Sequence, residues 1–263
     1  MFRALYTAAS GMQAQQTNLD TIANNLANSS TAGFRSSRMQ FEDLIYQNIV
    51  VPGAAASQQT TVAAGLQVGL GTRTSASEVL QIQGDLSATG NQLDLAIEGQ
   101  GFFQVLLPNG QLAYTRAGNF QADAQGNVVT ANGNPIQPAL AIPQGATSIT
   151  VASDGTVSVT LAGQTAAQQV GNVQLALFPN PGGLSSLGAN LFTPTTASGE
   201  PVVGTPGGSN GLGQVEQGYL EQSNVSVVDE FINMIVAQRS YEASSRVVQA
   251  ADQMFQLINN LGK

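Results

Sequence analysis

Apolar residues recur with a helical period at both ends of this chain and with a strand period between them. Across residues 4–28, Leu5, Met12, Leu19 and Leu26 stand seven apart, with Ala8 and Ile22 on the intervening row and Gln15 breaking it. This is the a/d pattern of a helix that meets another helix. Ala8, Ala9, Ser10 and Gly11 keep the early part thin enough for close approach. The polar positions are mostly amides (Gln13, Gln16, Asn18, Asn24, Asn25, Asn28), where a solvated helix would carry Glu and Lys. That composition suits a helix touched by protein on several sides. Gly33 is a candidate stop.

At the other end, residues 226–261 repeat Met234, Tyr241, Val248 and Phe255 at sevens, beside a second row of Val247, Met254 and Leu261 joined by Ile258. Ser226 followed by Asp229 reads as a capping box, and Glu230 also suits the positive end of the helix. At about 1.5 Å per residue the segment would span roughly 54 Å, more than an isolated domain needs. Neither helix has a helical neighbour close in sequence. Each is expected to bury its stripe on the other, or on further copies of the chain.

Between the helices the periods shorten. Residues 46–75 are rich in Ala, Gly, Gln and Thr and read either as a flexible linker or as an extended arm. From 78 to 215, short runs such as LDLAIEG and GFFQVLLP are punctuated by turn sequences at 108–110, 123–127, 131–134 and 153–156, a β pattern. TSITVASDGTVSVTLAG predicts a hairpin about Asp154-Gly155, and residues 179–213, rich in Gly, Pro and Ser, are expected to form a long loop. The predicted fold class is α+β. N- and C-terminal α-helices would pack as a coiled-coil-like inner domain, with a central all-β domain and an extended arm between them. The segments are 1–30 (first helix), 31–77 (linker and arm, the arm at about 46–73), 78–215 (β domain) and 216–263 (second helix).

Composition narrows the chemistry. The 263 residues include no His, Cys or Trp, only 9% are charged, and Lys263 is the single lysine. The usual zinc sets, Ser-His-Asp or Cys-His arrangements and disulfides are thereby excluded. The net charge of −8 is mild for this length and the arginines are scattered, which argues against nucleic acid and against an anionic membrane surface. No apolar stretch approaches the roughly 18 residues of a membrane span, so no stable membrane insertion is expected. MFRALYTAASGMQAQQ lacks a continuous apolar core, so no cleavable signal is expected either.

Carboxylate pairs are the remaining route to catalysis. Asp94 and Glu98 fall on one face of a strand, and Asp229 and Glu230 sit at a helix start where capping explains them. Neither suggests a cleft with one raised pKa, as glycoside hydrolysis would require. The glycine groups at 69–71 and 99–101 lack a phosphate-binding pattern. Asn28 and Asn224 match glycosylation sequons, at helix ends where Asn is expected anyway. No catalytic, cofactor or metal residue is assigned.

Three blocks of sequence carry a resemblance. ASGMQAQQTNLDTIANNLANSSTAGFRSSRMQFEDLIYQ, containing NNLAN-x-x-T-x-GF(R/K), resembles the N-terminal motif of the bacterial flagellar basal-body rod and hook family. NQLDLAIEGQGFFQV and YTRAGNFQADAQGNVVTANGNPIQP are similar to its central block, and QGYLEQSNVSVVDEFINMIVAQRSYEASSRVVQAADQMFQLINNL to its C-terminal motif. Together they cover more than half the chain in the family's order, and the 46–73 segment resembles the insertion of distal rod subunits.

The resemblance implies a structural subunit of the distal rod, exported unfolded through the flagellar type III export apparatus. It would polymerise helically into a rigid hollow drive shaft that transmits torque and carries the export channel. The implied partners are other copies of the chain, the proximal rod and hook proteins and the surrounding basal-body ring proteins, with no cofactor. The implied location is the flagellum basal body, spanning the periplasm toward the outer membrane. The terminal helices would form the inner tube, with an assembly interface of Leu5, Met12, Leu19, Ile22 and Leu26 against Met234, Tyr241, Val248 and Phe255. Asn24, Asn25 and Asn28 would satisfy backbone groups where the helix meets the arm. The arm would bridge neighbouring copies, and in the free monomer the ends would be largely disordered.

The nearest alternative is a proximal rod or hook subunit, against which the 46–73 insertion speaks. A secreted wall hydrolase lacks catalytic groups here, and a β-rich binding module leaves two long helices unexplained.

Overall fold

The computed structural model describes residues 2–51, 64–164, 166–208 and 210–261. The chain divides into two units, one comprising residues 1–27, 37–78 and 226–263, the other residues 28–36 and 79–225. The fold class is α+β, with helices at the two ends and strands between.

In the first unit, helix α1 (Phe2–Ala27) and helix α2 (Val227–Leu261) lie side by side and antiparallel. The direction follows from three contacts along their length. The Phe2 and Phe255 rings are 5.4 Å apart, a Cβ on Gly11 would stand 3.6 Å from the Ser244 Oγ, and the Asn25 amide donates to Glu230 Oε1 at 2.9 Å. Each helix therefore has a helical neighbour within the same chain. Small residues make the approach possible, for Ala8 and Ala14 of α1 and Ala237 and Ala251 of α2 are buried. At the start of α2 the Ser226 hydroxyl accepts from the Asp229 N–H at 3.4 Å, as the capping pattern predicts. Helix α1 stops at Ala27 rather than at Gly33. Gly33 instead permits a close approach of backbone. Its φ is +68°, and a Cβ there would come within 2.5 Å of the Ala117 nitrogen, space that only glycine leaves open.

The described residues of the segment after α1 do not form a bare linker. Strand Ser37–Asp43 pairs with Thr72–Val79, and Tyr46–Val50 runs antiparallel to Leu66–Gly69 with Tyr46 opposite Gly69. Residues 52–63 of the expected arm lie outside the described residues.

The second unit is all β. One antiparallel sheet has the order Ser185–Gly188, Leu191–Thr193, Leu112–Thr115, Phe102–Leu106, Leu175–Leu177, Val202–Gly204, with Ile136–Gln137 also on Phe102–Leu106. Consecutive side chains of a strand face opposite ways, so Phe103 and Phe102 enter different clusters. Phe103 packs with Ile97, Phe120, Ile136, Val159 and Leu175, and Phe102 with Tyr114, Phe178, Leu184 and Phe192. The predicted hairpin forms from Ala146–Val151 and Thr156–Leu161, and the Asp154 carboxylate accepts from the Thr156 N–H at 2.9 Å.

The region 179–213 departs from expectation. Instead of one long loop it holds a short 3-10 turn and three strands of the large sheet. Each strand is only three or four residues long, too short for alternation to stand out among Gly and Pro, and pairing with Leu112–Thr115 and Leu175–Leu177 supplies the regularity.

Phe103 is fully buried and meets Phe120 edge-on at 5.2 Å. Phe103→Ala is expected to destabilise the β unit by about 3–5 kcal/mol, read as a lower urea midpoint for that unit with the helical signal of α1 and α2 retained.

Candidate functional site

The chemistry available to this chain lies in its surfaces. Of the nine residues picked as an interface, Ile22 is buried, Leu5, Met12, Leu19, Leu26, Met234, Val248 and Phe255 are half-buried, and Tyr241 is exposed. Phe255 reaches Phe2 of the same chain. On α2 the row Met234, Tyr241, Val248, Phe255 is interleaved with Glu230, Ala237, Ser244 and Ala251, again seven apart. Sequence reading missed this second row because apolarity was the signal, whereas the helices approach through small and polar groups. Among the picked residues, Phe255 meets α1 through Phe2, while the other cross-helix contacts run through Gly11 and Ser244 and through Asn25 and Glu230.

The seam leaves other apolar faces of α2 uncovered. Val228, Phe231, Ile232, Ile235 and Val236 follow the i, i+3, i+4, i+7, i+8 pattern of a helix face, and each is between 50% and 69% exposed. Farther along, Val247, Met254, Leu257 and Ile258 are exposed as well. Burying one such side chain is worth about 1.5–3 kcal/mol, and contiguous patches of this kind mark interaction sites. The paired strands after α1 add Ile45, Tyr46, Ile49, Val51 and Leu66, all more than half exposed, with Ile45 at 83%. A two-stranded ribbon is marginal in water on its own.

Polar side chains near the chain's turning points are better satisfied. Asn25, buried on α1, accepts from the Ser37 N–H at 2.9 Å and donates to the Ser37 carbonyl at 2.8 Å and to Glu230 at 2.9 Å. It does what was expected of this group of asparagines, fixing the backbone where the ribbon begins. Asn28 Oδ1 accepts from the Thr31 hydroxyl at 3.2 Å. Asn224 accepts from the Ser36 N–H at 2.7 Å and donates to the Leu80 and Ile82 carbonyls, so internal bonds occupy the amide of that sequon. On the ribbon, hydrogen bonds from Arg38 and then Gln40 hold the exposed Glu78 carboxyl below its ordinary range.

The carboxylate pairs do not form a reactive site. Asp94 is buried and accepts from the Thr89 hydroxyl at 2.6 Å and the Asn91 amide at 3.1 Å, while Glu98 is exposed. Asp229 and Glu230 belong to the start of α2. A hollow of about 520 Å³ lined by Tyr6, Ser10, Gln13, Thr17, Thr72 and Arg73 contains no carboxylate. Another, of about 290 Å³, is lined by Ser29, Ser30, Ser87, Thr89, Glu221 and Gln222, with the Glu221 side chain itself inaccessible. No group of three His, Cys, Asp or Glu side chains suited to a metal occurs among the described residues.

Comparison with known proteins covers the same blocks. Residues 5–35 match the family described as flagella basal body rod protein, residues 96–159 the flagellar hook protein FlgE/F/G D1 domain, and residues 216–261 the flagellar basal body rod FlgEFG protein C-terminal region. The chain is 48% identical over 261 residues to the flagellar basal-body rod protein FlgG of Buchnera aphidicola, covering 99% of this chain and 100% of that protein. It is 46% identical to the protein of the same name in Borreliella burgdorferi, covering 99% of each. With that of Caulobacter vibrioides it shares 47% identity over 98% of this chain and 99% of the relative.

Asn25→Ala would leave the Ser37 N–H and carbonyl and the Glu230 carboxylate without this partner. It is expected to destabilise the helical unit by about 1–3 kcal/mol, seen as faster hydrogen exchange at the Ser37 amide with the β unit unchanged.

Proposed function

Since the chain belongs to the family of flagellar basal-body rod proteins, we propose that its working form is a helical polymer built through its terminal helices. It is a structural protein of the rod, not an enzyme. The full-length similarity to proteins named FlgG carries this reading, and the uncovered apolar faces of α2 supply the physical reason for polymerisation.

Copies stack by non-closing contacts between unlike patches, the geometry a filament requires. The helices pack as a coiled-coil-like inner layer in which Leu5, Met12, Leu19, Ile22 and Leu26 meet Met234, Tyr241, Val248 and Phe255. The exposed face from Val228 to Val236 is added to that interface, since these side chains are largely uncovered within the chain. The rows between α1 and α2 hold each subunit's ends together, and the outer face joins one subunit to the next. The polymer is a rigid hollow shaft that transmits torque and carries the export channel. The 46–73 arm bridges neighbours and stiffens the lattice, which favours the distal rod over a proximal rod or hook subunit. Its partners are the proximal rod and hook proteins, the basal-body ring proteins and the type III export apparatus, in a structure spanning the periplasm toward the outer membrane. No helix of the described residues is long and apolar enough to cross a membrane.

Electron microscopy of the concentrated protein tests the reading. Straight tubes are the expected result, curved tubes would move the assignment to a hook-type subunit, and absence of any polymer would overturn it. Ile235→Asp, on an exposed position, is expected to leave the monomer's melting temperature within about 2 °C of the parent and to abolish tube formation. Leu19→Asp and Val248→Asp are expected to leave the β unit folded and block incorporation into the rod.

A further inference from the structure

Three charged side chains meet in the interior of the β unit: Arg35, Arg116 and Glu221. Arg35 Nη2 lies 2.6 Å from Glu221 Oε1, and Arg116 Nη1 lies 3.4 Å from Oε2. The Glu221 side chain is wholly inaccessible, that of Arg35 is 1% exposed and that of Arg116 7%. The Gly84 N–H donates to Glu221 Oε1 at 3.0 Å. Arg116 donates to the Gly99 carbonyl at 2.6 Å and to the Ile97 carbonyl at 3.4 Å, and stands 5.4 Å above the Phe102 ring. Nε and Nη1 of Arg35 and Nε of Arg116 are buried without a hydrogen-bond partner.

Two guanidiniums and one carboxylate leave a net positive charge in a buried site. Burial pushes the Arg116 guanidinium down to about 10, against the opposing pull of Glu221. Such a cluster adds little stability over a well-packed apolar one, yet removing the shared partner leaves two buried cations facing each other. Its membership is what gives it meaning. Arg35 lies in the N-terminal sequence block, Arg116 in the central block and Glu221 in the C-terminal block. The backbone around it is tied in the same way. The Gly33 N–H donates to the Glu221 carbonyl at 2.8 Å, the Leu80 N–H to the Ser36 carbonyl at 2.8 Å, and the Gln222 N–H to the Asp85 carbonyl at 2.8 Å. Residues 28–36 follow α1, and Val225 ends the segment that precedes α2.

We propose that Arg35, Glu221 and Arg116 form a charge lock that fastens the segment after α1 and the segment before α2 to each other within the β unit, with Glu221 as its keystone. The two arginines come first in the chain and stay hydrated until the C-terminal block delivers the carboxylate. Residues 28–36 therefore dock only in a chain whose C-terminal block has folded into place. The lock does not depend on the rod reading, because it operates within one chain.

Hydrogen exchange on the full-length Glu221→Gln variant tests it, since glutamine keeps the shape and removes the charge. The Gly33, Ser36 and Gly84 amides are expected to exchange roughly tenfold faster or more, with the Phe103 and Val105 amides of the core unchanged. Unaltered exchange at Gly33 and Ser36 would overturn the proposal. Should Glu221→Gln unfold the whole β unit, the double variant Arg35→Met with Glu221→Gln decides, because it leaves one buried cation with its carbonyl partners. Recovery of core protection in the double variant supports the lock, as non-additivity of a coupled pair. A double variant as unfolded as the single one rules it out.

Discussion

An amphipathic helix must bury its stripe, and in this chain the two helices that must do so stand at opposite ends of the sequence. Antiparallel contact between α1 and α2 resolves that requirement and sets conditions for everything between them. The segment after α1 and the segment before α2 must both lead into the β unit, where the hydrogen bonds of Asn224 and Gly33 hold them. The helix contact is close because Gly11, Ala237, Ser244 and Ala251 are small. Helices joined by bulky side chains alone would stand farther apart, and the amide of Asn25 would not reach Glu230.

A chain with so few charges uses them in two unlike ways. Arg38–Glu78, Arg73–Glu42 and Arg239–Glu242 are solvent-exposed pairs, which solvent screening leaves with little effect on stability. Arg35, Arg116 and Glu221 are buried, where a missing partner is costly and the arrangement is therefore specific. The exposed apolar residues of α2 and of the ribbon form a third class, uncovered in one chain and suited to burial between chains. A chain without His or Cys thus divides its side chains among exposed ion pairs, a buried charge cluster and uncovered apolar faces.

Much of the candidate site was legible in outline and displaced in detail. The seven-residue rows fell on both helices and Asp154-Gly155 on its hairpin, because period and turn chemistry are local properties. The segment given to the second helix began at 216, however, where the strands Gln214–Gln217 and Tyr219–Glu221 precede Val227. The row Met234, Tyr241, Val248, Phe255 was visible as a stripe. Its companion row Glu230, Ala237, Ser244, Ala251 was not, since small and polar residues carry no apolar signal. The strands at 185–188, 191–193 and 202–204 were hidden for a related reason: a three-residue strand is defined by its neighbours in the sheet rather than by its own pattern. Glu221 gave no sign of its role, because a glutamate beside Gln222 reads as surface until burial is known.

By itself the sequence determined that the ends are helical, that the middle is β, that thiol and imidazole chemistry are absent, and which family the three blocks resemble. These follow from composition, period and short-range spacing, which need no knowledge of distant contacts. Only the tertiary structure decided which stripe of α2 faces α1 and which is left uncovered. It also decided that residues 28–36 belong with the β unit and that Arg35, Arg116 and Glu221 share one buried site. Those outcomes depend on desolvation and close approach between residues far apart in the chain, and neither is written in any local stretch of it.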